Sequence, residues 1–423
     1  MKSAKKQAHS LSLHLKSLYK EREKMKKLFC IILSVAMLMC IPVSANAETA
    51  SALSFGDDGK FVILHISDPQ DDRYAAYDLV NFIALAIEET NPDLVVLSGD
   101  IVEDSRIGDV GIDDESGREG VTVNKNGEID YAATLENTRI ATDNILSIIN
   151  DAKIPFAVSQ GNNDYASGIT NEDWLEIYSA YEYSLAKDES ADSTGRIDYN
   201  VEILGSDGNV AFNVWLMDSG KNSVNEEQVA WYEAESNALK EANGGEAVPS
   251  FVFQHIPVAD TGNLFEECNF WDEGAVSADG KYYRLNHELA NGYNISAMAP
   301  GETTAQFASW KNQGDVLGAY FGHWHTEGYT GIWDGIELGF TFGCEFAKPG
   351  PYGIRVFTLY EDDIENYDNV IYTYEGSVKN GDARFELQVD TEYAVYNNFI
   401  EELFAAIRNV FNLLVKEIKS LLS

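Results

Sequence analysis

Five short polar segments contain the residues of this 423-residue chain that are best suited to bind a metal ion. Each segment offers an Asp, Asn or His side chain, and these are ligands for hard or borderline divalent cations. In chain order the segments are Asp68-Pro69-Gln70, Gly99-Asp100, Gly161-Asn162-Asn163-Asp164, Gln254-His255 and Gly322-His323-Trp324-His325. A single segment would mean little, because Asp, Asn and Gly also form ordinary turns. Five in succession indicate a metal site.

Most of these segments directly follow an apolar run that predicts a buried strand. Phe61–Ser67 precedes the first segment, Asp93–Ser98 the second and Val316–Phe321 the last. In open α/β sheets, ligands bind beyond the carboxyl ends of the strands. We therefore expect the polar segments to meet at one edge of a sheet.

Such a set of ligands suits the attack of water on a phosphate ester. The ester's negative charge repels hydroxide, whereas two cations about 3.5–4 Å apart neutralise it, lower the pKa of a bridging water and orient an in-line attack. One ligand must serve both ions, and the carboxylate of Asp100 is the candidate. His323 and His325 stand two residues apart, so in an extended segment both would face one side and Trp324 the other. One short loop could then serve both ions.

Apolar runs and helical patterns alternate along most of the chain. Helices are predicted at Tyr74–Thr90, Tyr131–Ala152, Glu226–Ala242 and Thr303–Asn312. Buried strands are predicted at Phe61–Ser67, Asp93–Ser98, Ile154–Ser159, Val210–Met217, Phe251–Gln254 and Val316–Phe321, and later strands at Gly335–Phe342, Gly353–Leu359 and Val370–Tyr374. This order predicts an α/β fold, most simply a four-layer α-β-β-α sandwich with mixed sheets. Glu103–Asp130 and Phe265–Pro300 lack the pattern and are predicted to be long inserted loops.

Both ends of the chain differ from this body. Residues 1–47 combine a basic start, the apolar run Leu28–Val43 and small residues at the positions that signal peptidase prefers. The run is short for a membrane span, so we expect a cleaved signal peptide and a secreted or extracellular protein. The catalytic domain is then expected over residues 48–390. Residues 391–423 carry an amphipathic helix, which either packs on the body or a partner chain or attaches the protein to a surface.

The composition excludes some classes of protein. Asp and Glu number 69 against 30 Lys and Arg, which gives a net charge of −39, so nucleic acid binding is not expected. The hydrophobic fraction of 45% and the aromatic fraction of 12% indicate a folded chain. The chain has four cysteines; Cys30 and Cys40 lie in the apolar run and leave with the signal peptide, whereas Cys268 and Cys344 remain. Two cysteines do not make a disulfide framework, although these two could pair.

The order of the five segments resembles that of the calcineurin-like metallophosphoesterases, a group that includes the purple acid phosphatase-like enzymes. The shared pattern is D-x-[HQ], GD, GN-x-D, H and GHxH; it runs from about Phe61 to Phe342 and is especially close over Gly314–Gly331. The resemblance implies one metal held by Asp68, Gln70, Asp100 and His325, and a second held by Asp100, Asn162, His255 and His323. It also implies that the two ions are divalent or trivalent, such as Mn, Fe or Zn.

Two positions depart from the pattern of that family. Gln70 stands where the family usually has His. Because its amide oxygen is neutral and less basic than imidazole, we expect weaker binding at that metal or a preference for harder ions such as Mn²⁺ or Fe over Zn²⁺. Asn163 stands where the family has a His near the leaving group. An Asn side chain cannot act as an acid near pH 7, although it can donate a hydrogen bond to a phosphate oxygen. Asp100 and Asn163 are the candidate catalytic residues, and Asp164 is expected to orient its loop.

Two interpretations of the function remain open at this point. In the first, the protein is a secreted metal-dependent phosphoesterase that hydrolyses mono- or diesters, either small molecules or surface phosphate esters, through a hydroxide bridging two metals. In the second, it is a metal-binding surface or interaction protein whose phosphoesterase site has decayed. Gln70, Asn163 and the amphipathic tail motivate the second interpretation.

Several other polar residues are weaker candidates. His65 is expected to be a core histidine or one that supports the metal ligands from behind. His287, which has Arg284 nearby, is expected at the surface, although it could reach the phosphate. The acidic stretch Asp113-Asp114-Glu115 lacks the spacing of a calcium loop and is expected to be solvated. Lys348 could approach substrate anions.

Overall fold

A computed structural model of the chain describes residues 52–73, 75–103, 130–294, 298, 301–346, 351–379 and 382–389. The predicted signal peptide at 1–47, the acidic stretch at 113–115, Lys348 and the C-terminal helix at 391–423 lie outside these residues. So does nearly all of the predicted loop Glu103–Asp130. Among the helices that are described, none combines the length and the hydrophobicity needed to cross a membrane.

The described helices and strands follow the predicted alternation. The helices are α1 Tyr77–Thr90, α2 Tyr131–Asp151, α3 Asn162–Ala166, α4 Asn171–Ser179, α5 Ala191–Thr194, α6 Glu226–Ala242 and α7 Gln306–Gln313, with 3₁₀ turns at Ala259–Leu264 and Ile364–Asn366. The strands are β1 Lys60–Ile66, β2 Leu94–Leu97, β3 Phe156–Val158, β4 Tyr199–Leu204, β5 Val210–Met217, β6 Ser250–Gln254, β7 Phe265–Cys268, β8 Val276–Ala278, β9 Lys281–Leu285, β10 Ala290–Asn294, β11 Val316–Phe321, β12 Glu327–Trp333, β13 Ile336–Phe340, β14 Gly353–Tyr360, β15 Asp368–Lys379 and β16 Asp382–Val389. Within the described residues, every predicted helix and strand is present, with ends shifted by a few residues.

Two mixed sheets carry the metal-ligand segments at the ends of their parallel strands. The first has the order β16-β15-β14-β1-β2-β3, in which β1, β2 and β3 are parallel. The second has the order β10-β12-β13-β11-β6-β5-β4, in which β13, β11, β6 and β5 are parallel. Asp68, Asp100 and Asn162 follow strands of the first sheet, whereas His255 and His323 follow strands of the second. The site therefore forms where the two sets of strand ends face each other.

The alternation of side chains along the strands creates three apolar layers. Phe61 and Ile63 on β1 point between the two sheets, where they join Phe253 and other buried aromatics. Leu64 on the opposite face of β1 packs under α1 and α2. On the outer face of the second sheet, Trp215 and its neighbours pack against α6 and α7. Helices therefore cover both sheets from outside, and the predicted four-layer fold is confirmed.

The prediction of a long irregular loop over Phe265–Pro300 was wrong in its first part. Strands β7, β9 and β8 form a small three-stranded sheet, and β10 adds an edge strand to the second large sheet. The sequence held a signal for this hairpin. Asp279 and Gly280 both have positive φ, 49° and 77°, between β8 and β9, and Asp-Gly is the preferred pair for such a two-residue turn.

Candidate metal centre

The backbone of several expected ligands lies in the left-handed region. Asp68, Gln70, Asp100 and His323 have φ values of 49°, 37°, 50° and 72°. Each such non-glycine conformation costs on the order of 1–3 kcal/mol and persists only where neighbouring groups fix it. Here the loops fix one another, because the backbone N–H of Gln70 donates to the backbone oxygen of Asp100 at 3.0 Å. The strain is concentrated at the residues that carry the ligand side chains.

The segment from His323 to His325 is a turn, so the prediction of an extended segment was wrong. The backbone N–H of His323 donates to the carboxylate of Asp68, with the nearer oxygen at 3.0 Å. This bond holds His323 in the left-handed conformation. The ring of Trp324 packs instead beside the apolar core on the outer face of the second sheet.

Two glycines allow the loops to approach closely. A Cβ atom on Gly161 would lie 2.2 Å from Oδ1 of Asp100. A Cβ atom on Gly322 would lie 1.9 Å from Oγ of Ser67 and 2.6 Å from Oδ2 of Asp68. Real Cβ atoms do not come this near to other heavy atoms, so any larger residue would push the carboxylates apart.

The side chains of Asp68, Asp100 and His325 form a first ligand group. One possible ligand atom from each lies within 4.8 Å of the others. Nε2 of His325 lies 3.2 Å from Oδ1 of Asp68. Gln70 reaches the same place, since its Nε2 donates to Oδ2 of Asp100 at 2.7 Å.

The side chains of Asp100, His255 and His323 form a second ligand group, also within 4.8 Å of one another. Nε2 of His255 lies 3.1 Å from Oδ2 of Asp100 and 3.0 Å from Oδ1 of Asn162. Its other nitrogen, Nδ1, contacts the backbone oxygen of Ser98 at 3.1 Å, which orients the ring. The two groups share Asp100, whose carboxylate is almost completely buried.

Asn163 lies directly beside this shared carboxylate. Its backbone N–H donates to Oδ1 of Asp100 at 2.7 Å, and its side-chain Nδ2 donates to Oδ2 at 2.8 Å. Asn162 Nδ2 in turn donates to Oδ1 of Asn163 at 3.1 Å. All eight expected site residues therefore meet in one place, although they come from segments spread over more than half of the chain.

A comparison with known protein families identifies the chain. The model of the calcineurin-like phosphoesterases matches residues 61–327. This chain belongs to that family. The family named from the order of the five segments is thereby confirmed.

Two plant proteins are among the relatives that this chain is similar to. One, from Arabidopsis thaliana, is named probable inactive purple acid phosphatase 14 and is 23% identical over 369 residues, which cover 76% of this chain and 80% of the relative. The other, probable inactive purple acid phosphatase 29 from the same plant, is 22% identical and covers 77% of this chain and 82% of its own. A solved dimetal phosphatase from Danio rerio has a TM-score of 0.44 and 14% identity, with coverage of 74% of this chain and 95% of that one.

Asp164 links two of the expected ligand segments. Its Oδ1 accepts from the backbone N–H of Ile101 at 2.9 Å and of Val102 at 3.2 Å, and its Oδ2 accepts from Gly161 at 2.8 Å. The carboxylate thus links the loop after β2 to the start of α3, as expected for a residue that orients its loop. Burial, and then the nearby charge of Asp100, raise the pKa of Asp164 to about 8.

Glu345 is a site residue that the sequence reasoning missed. Its Oε2 lies 2.7 Å from Nδ1 of His325, and its side chain is buried. A carboxylate on the second nitrogen of a metal-binding histidine fixes the ring and makes it a better ligand. One signal was available, because Glu345 is the single charged residue in the stretch from Phe340 to Ala347, just after a predicted strand.

The charges of the site favour a bound cation. Burial lowers the pKa of His255, but the facing carboxylates of Asp100 and Asp68 outweigh it and raise that pKa to about 9. For His325 the same balance, with Asp68 and Glu345, raises the pKa to about 10. Burial lowers the pKa of His323 to about 4, which leaves its ring neutral. Without metal, protons on His255 and His325 therefore balance the negative charge of the buried carboxylates. Bound metal ions would balance the same charge.

The side chains that meet here fit two metal ions in their chemistry. Each group offers carboxylate oxygen and imidazole nitrogen, and each adds one amide oxygen, from Gln70 or Asn162. Such mixed sets suit Mn, Fe and Zn. Gln70 points its amide nitrogen at Asp100, so its oxygen becomes a ligand once the amide turns over, a change that needs no movement of the backbone.

The weaker candidates take no direct part in this site. His65 is buried between the sheets, where its ring nitrogens contact Ser98 and Thr341. The guanidinium of Arg284 is paired with Glu266 at 2.7 Å, and His287 is exposed. Cys268 and Cys344 are both free thiols, so they do not pair with each other.

Proposed function

We propose that this protein hydrolyses phosphate mono- or diesters with the help of two bound metal ions. The observation that carries the proposal is the position of Asp100, whose buried carboxylate belongs to both ligand groups. A bridging carboxylate between two sets of ligands is what a two-metal hydrolase requires. The family match supports the same reaction class.

Each side chain has a distinct task in this proposal. Asp68, Gln70, Asp100 and His325 would hold one ion, and Asp100, Asn162, His255 and His323 the other. When bound, such a pair of ions supplies a water of lowered pKa and neutralises the charge of the phosphate. Asn163 holds Asp100 through two hydrogen bonds, and its Nδ2–H can turn to a phosphate oxygen and orient the ester. Gln70, as a neutral ligand, favours Mn or Fe over Zn.

Asn163 also limits which esters are good substrates. An amide cannot protonate the departing alkoxide near pH 7. We infer that the enzyme prefers monoesters and diesters whose leaving group is stable as an anion. A phenolate with electron-withdrawing substituents is such a leaving group.

A second candidate is a protein that binds metal but has lost catalysis. Two observations favour it: the amide of Asn163 in place of an acid, and the names of two relatives, which call them probable inactive purple acid phosphatases. In this case the ligand groups would serve structure or the binding of a phosphorylated partner.

Turnover of two model substrates separates these candidates. The purified protein is given p-nitrophenyl phosphate and bis-p-nitrophenyl phosphate with added Mn²⁺, Fe²⁺ or Zn²⁺, beside the variant Asp100→Asn. We expect release of nitrophenol by the wild type and at least a 100-fold lower rate for the variant. If the folded wild type binds two metals but is no faster than Asp100→Asn, the second candidate is correct.

We further propose that the enzyme works outside the cell on small-molecule or surface phosphate esters and does not bind nucleic acid. The features of residues 1–47 and the net charge of −39 support this. The amphipathic segment at 391–423 would add a surface attachment. Mass spectrometry of protein from the culture medium should give Glu48 as the first residue. Recovery of the protein only inside cells, with residues 1–47 intact, would refute secretion.

A further inference from the structure

A row of buried hydrogen bonds connects Arg355 on β14 to Oδ2 of the Asp68 carboxylate. The contacts are Arg355 Nε to Thr341 Oγ1 at 3.3 Å, Thr341 Oγ1 to His65 Nδ1 at 2.8 Å, His65 Nε2 to Ser98 Oγ at 2.8 Å, Ser98 Oγ to Ser67 Oγ at 3.0 Å and Ser67 Oγ to Asp68 Oδ2 at 2.5 Å. Arg355 is 2% exposed and the other five residues are 0% exposed. Bulk solvent therefore does not reach the row.

The two ends of the row determine the direction of every bond within it. A guanidinium can only donate and a carboxylate can only accept. Since Arg355 donates to Thr341, the single hydroxyl hydrogen of Thr341 is left for Nδ1 of His65. Nδ1 is then an acceptor, so the ring hydrogen sits on Nε2 and is donated to Ser98. Ser98 passes its hydrogen to Ser67, which donates to Asp68.

The ring of His65 is neutral in this arrangement. Burial, and then the positive charge of Arg355, lower the pKa of His65 to about 3. A neutral imidazole has one donor and one acceptor, which the row requires. The ring is also held in place by an edge contact with Phe253, with the centroids 4.8 Å apart.

Arg355 is a fixed starting point for the row. Its Nη2 donates to the backbone oxygen of Phe340 at 2.6 Å, and its Nη1 donates to Oδ1 of Asn369 at 2.6 Å. Asn369 in turn donates to the carboxylate of Glu337 at 2.5 Å. The guanidinium is therefore anchored by neighbouring strands and cannot turn away from Thr341 without breaking these bonds.

The row has a consequence for how Asp68 meets a metal ion. Its Oδ2 accepts from Ser67 Oγ and from the backbone N–H of His323 at 3.0 Å. Its Oδ1 faces Nε2 of His325 at 3.2 Å and Nε2 of His255 at 3.9 Å, which is the ligand side of the site. The N–H of His323 also reaches Oδ1, at the longer distance of 3.2 Å. Oδ2 thus takes the two closer hydrogen bonds, and Oδ1 is the oxygen that faces the ligand histidines.

We propose that Arg355, Thr341, His65, Ser98 and Ser67 act as positioning residues. Their hydrogen bonds hold the ring of His65 as the Nε2–H tautomer. They also orient the carboxylate of Asp68 so that it binds the metal through Oδ1 alone. The second half of this inference rests on the metal binding in the proposed function, whereas the first half does not. The competing explanation is that these groups only satisfy one another in the core and have no effect on the metal.

The tautomer of His65 tests the direction of the row. Full-length mature protein is labelled with ¹⁵N-histidine, and two-bond ¹H–¹⁵N spectra are recorded without metal and with Zn²⁺. The signals that disappear in the variant His65→Gln belong to His65. We expect a protonated Nε2 and an unprotonated Nδ1 in both samples. A protonated Nδ1, or a ring protonated on both nitrogens at pH 7, would overturn the inference.

Variants at Thr341 test its effect on the metal. Thr341→Val keeps the shape but removes the hydroxyl, so we expect mixed tautomers at His65 and a Mn²⁺ dissociation constant raised about 10-fold or more. Thr341→Ser restores the hydroxyl and should stay within about 3-fold of the wild type. The matched control is Thr142→Val, because Thr142 is equally buried and its hydroxyl has no partner among the described residues.

The outcomes separate this inference from the proposed function. If Thr341→Val weakens Mn²⁺ binding no more than Thr142→Val does, the row has no effect on Asp68 and the inference fails. If the tautomer of His65 and the Mn²⁺ affinity of Thr341→Val are as expected but the wild type hydrolyses no ester, the proposed function fails and the inference stands. If Thr341→Val does not fold, Ser98→Ala takes its place, with the same expected loss of Mn²⁺ affinity.

Discussion

Asn163 is the residue at which this site departs most from an efficient phosphatase. Its amide nitrogen lies 2.8 Å from Asp100, close enough to the shared carboxylate to contact an ester bound there. General acid catalysis contributes about 10²–10⁴-fold in enzymes that use it. Because an amide cannot donate this proton, the site lacks the rate enhancement from general acid catalysis for every leaving group that needs a proton.

The variant Asn163→His should restore that contribution. We expect its kcat for phenyl phosphate, whose phenolate is a poor leaving group, to rise at least about 10-fold. The kcat for p-nitrophenyl phosphate should change little, because p-nitrophenolate leaves without a proton. Steady-state kinetics with both esters measure the effect, and Asn163→Ala serves as the control that should slow both. Equal changes for the two esters would show that Asn163 does not face the leaving group.

Glu345 gives a second test with a single residue. Its carboxylate holds Nδ1 of His325 at 2.7 Å, so Glu345→Gln should weaken binding of the metal on that side about 10- to 100-fold. Competition with a chelator measures the dissociation constant. Glu361→Gln is the matched control. The carboxylate of Glu361 accepts hydrogen bonds from Ser206, which belongs to none of the ligand segments, so this variant should not change the metal affinity. Equal affinities in all three proteins would contradict the role assigned to Glu345.

At the scale of the elements, the strands set the position of the site and the loops after them set its precision. The parallel strands end at one edge of each sheet, but the ligand side chains meet only because glycines let the loops touch. Gly322 follows β11, and its Cα lies against Ser67 and Asp68 of the loop after β1.

The variant Gly322→Ala should disturb both folding and metal binding. Its Cβ would stand 1.9 Å from Oγ of Ser67, so the loops must separate. We expect a loss of about 1–3 kcal/mol in the free energy of unfolding, from overpacking, and a metal content well below two ions per chain. Denaturant unfolding and elemental analysis measure the two effects.

Gly208→Ala is the control for that variant. Gly208 has φ +81° in the turn between β4 and β5, and an added Cβ would meet nothing within 4 Å. It should cost about 1 kcal/mol through backbone strain alone and leave the metal content unchanged. A full complement of metal in Gly322→Ala would refute the close packing of the loops.

The elements show how far the sequence could lead. The predicted strands and helices were found because their apolar patterns are local, and the ligand segments stand at their ends. The row from Arg355 to Asp68 could not be read in this way. His65 and Thr341, which contact each other, are 276 residues apart. Ser67, Ser98 and Thr341 each follow a strand, and their spacing along the chain gives no sign that they contact one another. The turn at Asp279-Gly280, in contrast, carried a local signal.

At the scale of the whole molecule, the chain is strongly acidic, with a net charge of −39. Such a surface disfavours the approach of phosphate esters, which are anions themselves. Two bound cations would reverse the sign of the field at the site while the rest of the surface stays negative. Metal loading is therefore the condition that makes an anionic substrate acceptable to this protein.

The same charges link metal, pH and stability. Without metal, the raised pKa values of His255 and His325, about 9 and about 10, mean that the folded chain holds protons which the unfolded chain releases near pH 6.5. This stabilisation is complete below about pH 6.5 and is lost as the pH rises through 9 to 10. We therefore expect the Tm of metal-free protein to fall between pH 7 and pH 10.

Metal-loaded protein should behave differently over the same pH range. Metal binding displaces the protons from both histidines, so the affinity for Mn²⁺ should rise with pH and each binding event should release protons. Thermal unfolding with and without Mn²⁺, together with proton release in weak buffer, measures both effects. A Tm of the metal-free protein that stays constant from pH 7 to pH 10 would contradict the charge balance described here.

The central claim is that Asp100 lies between two metal ions. Anomalous X-ray diffraction from crystals grown with excess Mn²⁺ tests it most directly. We predict two ions about 3.5–4 Å apart, one on each side of the Asp100 carboxylate, with His325 beside the first and His255 and His323 beside the second. Diffraction that shows no ion in contact with Asp100, or a single ion on one side of it, would contradict the two-metal site.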